Sequence, residues 1–256
     1  MNEINDALYL SRIFLNPSCP QVRNELAYPY EMHRTIMHAF DAYPAQEAEK
    51  KRAKYNILFR PDIDERCGCI TLYVQSTVEP DWSYLRKNND YLLPETASVN
   101  PSCKNIARAY HSLRAGQVLS FVLRANPTKK IGKPKKGDAD LKGKRVALLR
   151  EEEHIEWLMR KGKMRENNCP GGFEIVAQEN RANGGQVIKI PQAHAWPEGK
   201  FRHRNGHSDA MTHVAVRFEG KLRITDADAF RATLVRGIGA AKAFGFGLMS
   251  IKKPLL

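Results

Sequence analysis

From Ala7 to Leu15 apolar residues recur in a short run (Ala-Leu-Tyr-Leu-Ser-Arg-Ile-Phe-Leu) that Asn16-Pro17 ends, which predicts an opening strand. A short polar helical segment follows to about Ala27. Pro29 then opens a second helix, at a position where its missing N–H costs nothing. Tyr55 to Arg60 reads as a strand ended by Pro61. Residues 62–68 form a turn, and Cys69 to Thr77 is the hairpin partner. Residues 104–113 have helical spacing. Gln117 to Arg124 is a further strand, closed by Asn126-Pro127.

The order strand, helix, strand, strand, helix, strand is the split βαβ arrangement of ferredoxin-like domains. A second cycle follows with no sequence repeat. Arg145–Leu149 is a strand, and Glu151 to about Lys163 is a helix with Ile155, Leu158 and Met159 apolar. Phe173–Gln178 is a strand, and residues 186–218 form a long hairpin region with a basic, turn-rich middle, Gly199 to Gly206. Thr212–Phe218 and Leu222–Thr225 supply strands, and a helix starts at Asp226. A glycine-rich loop runs from Gly237 to Gly247, and Leu248–Lys252 is a final strand. The expected fold is α+β: a first domain over residues 1–127, a linker over 128–143 and a second domain over 144–256. Between Lys129 and Arg145 eight basic residues stand among glycines and a proline, which suits a mobile basic linker.

Charge narrows the partner. The chain has 256 residues, with 41 Lys+Arg against 28 Asp+Glu, a formal net charge of +13. An excess of that size favours a polyanion, because each neutralised phosphate releases counterions. The apolar share of 42% supports a packed core rather than disorder. No apolar run approaches a membrane span, and the polar, acidic N-terminus does not read as a secretory leader, so a soluble cytoplasmic protein is expected.

Five cysteines at irregular spacing fit a reducing compartment, and Cys67 and Cys69 are expected to flank a turn rather than to bind metal. No His/Cys/carboxylate spacing calls for a metal, and no cofactor is expected. The glycine-rich loop fails as a dinucleotide fingerprint: Lys242 stands where glycine is required, and the loop joins a helix to a strand. Two readings remain for it. Its bare amides and Lys242 approach a sugar–phosphate backbone, or it is a packing turn.

The chemistry concentrates on Tyr30-Glu31-Met32-His33-Arg34-Thr35. At about 100° per residue, Tyr30, His33 and Arg34 share one helix face, with Met32, Ile36, Ala39 and Phe40 roughly opposite. The expectation is an imidazole beside a phenol and a guanidinium, off the buried face. Without a metal, RNA supplies its own nucleophile in the 2′-hydroxyl, and histidine moves protons near neutrality.

Several stretches, in order and spacing, resemble one family: Leu10–Pro17, Ala27–Thr35, Gln75–Trp82, Phe121–Lys129, Gly143–Leu148, Phe218–Gly220 and Arg236–Leu248. The family is the CRISPR repeat-processing endoribonuclease of type I-E systems, CasE, in the RAMP superfamily. The resemblance implies two tandem ferredoxin-like (RRM-like) domains. It implies metal-independent cleavage of precursor CRISPR RNA at the base of a repeat hairpin, by 2′-hydroxyl attack. The product is then retained as a subunit of the Cascade complex. It places the catalytic pair on Tyr30 and His33 and a groove-entering basic hairpin near Lys200, Arg202 and Arg204. It matches the glycine-rich loop at Gly237, Gly239, Lys242, Gly245 and Gly247. Arg34, or an arginine of the basic hairpin, is a candidate to stabilise the charged phosphorane. His38 reads as a surface histidine. His33 either takes the 2′-hydroxyl proton or gives one to the departing 5′-oxygen. The rival reading is a non-catalytic RNA-binding subunit of the same fold.

Overall fold

The computed structural model describes residues 7–43, 48–87, 90–94, 99–132, 143–163, 170–181, 187–203 and 211–254. Strand β1 (Tyr9–Leu15) leads to helices α1 (Pro20–Ala27), α2 (Pro29–Met37) and α3 (Ala48–Lys54). Strands β2 (Leu58–Asp64) and β3 (Cys69–Ser76) form the expected hairpin, followed by the short helix α4 (Ser83–Arg86) and strand β4 (Ser102–Asn105). These strands make a four-stranded sheet in the order β2-β3-β1-β4, antiparallel throughout. Its inner face carries Ile13 and Leu15 from β1 and Ile70, Leu72 and Val74 from β3, packed against Met32 and Ile36 of α2. Residues 104–113 divide between the end of β4 and helix α5 (Ala107–His111) rather than forming one helix.

Pro61 does not end its strand. It lies inside β2, paired with Leu72, and β2 is an edge of the sheet, the place where a strand tolerates proline. Cys67 and Cys69 flank the turn into β3, as read, and their sulfurs are bonded to each other.

The strand expected to complete the first half belongs elsewhere. Strand β5 (Val118–Ala125) pairs with two strands from the end of the chain. Elements β6 (Thr128–Lys130) and β7 (Arg145–Ala147) pair with each other as a short ribbon. Helix α6 (Glu151–Gly162), β8 (Phe173–Ile175), β9 (Ala177–Arg181), β10 (Val187–Pro191), β11 (Ala193–His203), β12 (Met211–Ile224), α7 (Ala227–Arg236) and β13 (Met249–Lys252) follow. The second sheet runs β11-β12-β5-β13, with β8 also on β12, and β9 pairs with β10 as a separate ribbon. The expected single strand Phe173–Gln178 is thus split between two sheets, and the expected pair Thr212–Phe218 and Leu222–Thr225 is the single strand β12.

Both sheets therefore show the same order. Taking the four main strands of each sheet by position in the chain, each runs second, third, first, fourth. The basic segment expected as a linker is flanked by β6 and β7, which pair with each other. Residues 133–142 of that segment lie outside the described residues. The two units meet at α5 and the turn at Gly116, and Ala107, Tyr110 and Leu113 are buried in the second core. That core packs Leu119, Phe121 and Leu123 of β5 and Val216 and Phe218 of β12 against Trp157 and Leu158 of α6 and Phe230 and Leu234 of α7.

Polar side chains pin the units together. Gln75 of β3 donates to the Leu234 carbonyl at 3.0 Å, and the Tyr110 hydroxyl donates to Gln75 Oε1 at 3.2 Å. Arg60 of β2, only 2% exposed, donates from Nη1 to the carbonyls of Val122 (3.1 Å) and Leu248 (3.0 Å). Buried groups of this kind hold one relative placement of the sheets, because sliding would leave charged or polar atoms without partners.

Candidate active site

Helix α2 starts where Pro29 fixes φ, and it buries Pro29, Met32, His33, Ile36 and Met37. Met32 and Ile36 enter the first core as the spacing predicts. His33 does not stand off the buried face; it is 0% exposed. A helix wheel shows only which residues share a side. It cannot show that the glycine-rich segment, from the far end of the chain, closes over that side. The His33 ring stacks against Phe59 of β2, centroids 6.3 Å apart and planes 10° apart. Tyr30 lies on its other flank at 5.6 Å, and Phe244 packs on Tyr30 at 5.7 Å. Tyr30 remains half-buried, at the edge of a small apolar cluster made by Ala215, Ala243, Phe244 and Phe246.

The structure thus brings Tyr30 and His33 together and leaves Arg34 out. Arg34 is exposed, and its Nη1 donates to Glu31 Oε2 at 3.1 Å, one turn back on the same helix. His38 is on the surface, as read, with Nδ1 3.3 Å from Asp41 Oδ2. Lys200 is exposed on β11, and Arg202 is in the same strand opposite Thr212. Arg204 lies outside the described residues.

In the glycine-rich segment, Lys242, Gly237 and Gly239 are half-buried, whereas Gly245 and Gly247 are buried. Packing explains the glycines. Gly245 has φ +77, and a Cβ there would lie 3.1 Å from Phe59, 3.2 Å from Arg124 Nη1 and 3.3 Å from Pro61. Gly237, at φ +75, would press its Cβ to 2.8 Å from both Leu58 methyls. Left-handed backbone against filled space admits only glycine. Gly245 and Gly247 are therefore packed against protein atoms.

Residues that the sequence reading did not single out complete the surroundings. Arg124 of β5 is 5% exposed, and its Nε donates to Glu198 Oε2 at 2.6 Å. Its guanidinium lies between the rings of Phe201 (5.0 Å) and Phe246 (4.9 Å). Burial pulls this guanidinium below its ordinary range, while Glu198 and Asp62 pull the other way. Arg217 of β12 donates from Nε to Glu219 (2.7 Å) and from Nη1 to Asp62 (3.2 Å). Burial opposes its charge, but Glu219, Asp62 and Glu198 outweigh that and raise it. A groove of about 930 Å³ passes Pro29 and Met32 and is walled by Asp62, Arg124, Glu198 and Arg217.

A further histidine, His213 of β12, lies near the glycine-rich segment. It is half-buried, with its ring 4.4 Å from Phe244. Val214 N–H donates to Asn126 Oδ1 at 3.3 Å, which turns the Asn126 amide group toward His213 Nδ1 at 3.1 Å. No helix among the described residues is long and apolar enough to cross a membrane.

A half-buried phenol thus stands beside an enclosed imidazole, with a loop from the second sheet packed behind them in a strongly basic chain. The chain belongs to the CRISPR-associated protein family, whose model matches residues 8–253, and it is a CasE-type member. It is 32% identical over 246 residues to the CRISPR-associated endoribonuclease Cse3 of Thermus thermophilus, covering 95% of this chain and 99% of the relative. It is 32% identical over 142 residues to the Cascade subunit CasE of Escherichia coli, covering 54% of this chain and 60% of that protein. The structure of Thermus thermophilus Cse3 bound to an RNA representing a pre-cleavage complex superposes with a TM-score of 0.68 at 30% identity, covering 96% of this chain and 99% of that one.

Proposed function

We propose that this chain is an endoribonuclease that cuts precursor CRISPR RNA at the base of a repeat hairpin and keeps the product as a Cascade subunit. The observation that carries this reading is the pairing of Tyr30 with His33, ring centroids 5.6 Å apart, in a chain that matches an RNA-bound nuclease almost end to end. The repeated strand order supports two ferredoxin-like units, one on each sheet, meeting near residues 107–117.

The 2′-hydroxyl attacks the adjacent phosphate and the 5′-oxygen departs, leaving a cyclic phosphate. The nucleophile belongs to the RNA, so the protein's task is to orient it and move protons. His33 transfers a proton, and Tyr30 positions the scissile region. His33 is enclosed in the free protein, so RNA must displace the edge formed by Tyr30 and Phe244 to reach it. Lys200, Arg202 and Arg204 hold the stem, and Lys242 reaches the backbone near the cut. Arg34, on the outer side of α2, serves at most as a peripheral phosphate contact.

The enclosure of His33 is the one observation that favours the non-catalytic RNA-binding subunit. A repeat hairpin carrying a 2′-deoxy nucleotide at the cleavage position separates the readings, assayed beside the all-ribose RNA with excess chelator present. The proposal expects the ribose substrate to be cut and the deoxy substrate to stay intact. Cutting of both would remove the internal nucleophile, and cutting of neither would favour the binding subunit.

A further inference from the structure

The residue that this structure adds to the site is Arg124, which grips the segment that packs on Tyr30. Its Nη1 lies 3.5 Å from the Phe244 carbonyl, and its own carbonyl accepts from Gly247 N–H at 2.8 Å. Its guanidinium stacks on Phe246, and Gly245 is bare where a Cβ would meet its Nη1 at 3.2 Å. From the other side Phe201 of β11 covers it. The glycine-rich segment is therefore moulded around one buried cation.

That cation is held by Glu198, which occupies an irregular position. The β11–β12 register pairs Pro197 with Val216 and then Gly199 with Ala215, so Glu198 is an extra residue in a bulge. A bulge re-aims a side chain out of the regular alternation. Here it sends the carboxylate to Arg124 at 2.6 Å, with Arg217 Nη1 at 3.6 Å as its second partner. Two residues further along the same strand comes Lys200, the start of the basic stretch. One ion pair thus links the strand that leads to the basic hairpin with the segment that packs on Tyr30.

We propose that Arg124, fixed by Glu198, is a positioning residue for cleavage: it sets the Phe244 segment and so the placement of Tyr30 and His33 against RNA held by the hairpin. The inference rests on the reading of Tyr30 and His33 as the cleavage site. Because the pair acts on geometry at the cut rather than on grip of the stem, its loss lowers the cleavage step and spares binding. Misplacement of reacting groups by about 1 Å typically costs on the order of 100-fold in rate.

The test uses the full chain and a repeat hairpin RNA, with enzyme in excess so that one turnover is followed. Binding is measured on the same hairpin carrying a 2′-deoxy nucleotide at the cut. Glu198→Gln removes the charge and keeps an acceptor; Arg124→Met removes the fork at similar volume. His33→Ala is run alongside. The expected result is a cleavage rate lowered by roughly 10- to 100-fold in Arg124→Met, a smaller loss in Glu198→Gln, and dissociation constants within about threefold of wild type. If His33→Ala cuts normally, the site reading fails and this inference fails with it. If His33→Ala is inactive while both other variants cut at the wild-type rate, the positioning role alone is overturned. Loss of binding in step with loss of cutting would also overturn it, by showing a role in holding the stem. Should Arg124→Met not fold, Glu198→Gln, on the solvent side of the pair, decides between the same outcomes.

Discussion

Replacing Gly245 with alanine tests whether the glycine-rich segment is a packing element behind Tyr30. At φ +77 the residue lies where L side chains are strained, and the new Cβ would sit 3.1 Å from Phe59, 3.2 Å from Arg124 and 3.3 Å from Pro61. Left-handed backbone costs an L residue roughly 1–2 kcal/mol. Forcing a methyl into filled space adds about 1–3 kcal/mol. None of the three neighbours is free to retreat: Phe59 stacks on His33, Arg124 is bound to Glu198, and Pro61 is locked in β2. The sum is about 2–5 kcal/mol, and in a chain of this size each kcal/mol lowers Tm by roughly 2–4 °C. Thermal unfolding followed by circular dichroism should therefore fall by about 4–20 °C. Gly132→Ala is the comparison, since nothing lies within 4 Å of a Cβ there. Equal Tm values for the two variants, within about 2 °C, would refute the packing argument.

Arg34→Ala should leave single-turnover cleavage within about threefold of wild type and stability nearly unchanged, because an exposed ion pair is worth about 0–1 kcal/mol; a loss above about tenfold would return Arg34 to the site. Lys200→Ala should weaken stem binding uniformly across sequences and reduce the slope of log K against log salt by about one, read by a binding titration at several salt concentrations; an unchanged slope contradicts a phosphate contact. Burial raises the hydroxyl pKa of Tyr84, Tyr91 and Tyr110, with Glu25 adding to the first two. Above about pH 10 the unfolded chain loses these protons while the folded one keeps them, so stability is intact below that pH and falls above it. With three such groups the limiting slope is about 4 kcal/mol per pH unit, and Tyr110→Phe should remove about a third of it in denaturant unfolding at alkaline pH; an unchanged slope would refute the assignment.

Much of the fold was legible locally. Pro29 marks the start of α2, the turn between them marks the β2–β3 hairpin, and the alternation of strands and helices in the second half shows in the residue pattern alone. Its limit was partnership. Val118–Ala125 reads as a strand in either half, and only its pairing with β12 and β13 assigns it to the second sheet. The same limit governs the site. Tyr30 and His33 are visible as neighbours on a helix, but the burial of His33, with Phe59 stacked on it and Phe244 of the distant segment packed on Tyr30, is not. Arg124 had one local signal, the single charged residue in a mostly apolar strand with Phe121 and Leu123, within a stretch that carried the family resemblance. Glu198 had none, because a bulge is a property of pairing rather than of composition.

The central claim is that His33 moves a proton in cutting RNA. It is tested most directly by single-turnover cleavage of the cognate repeat hairpin by His33→Ala, with affinity for the uncleavable 2′-deoxy hairpin measured on the same preparation. Loss of a general acid–base group should slow the cut by roughly 10²- to 10⁴-fold, with affinity within about threefold of wild type. Cutting within about tenfold of the wild-type rate would contradict the claim.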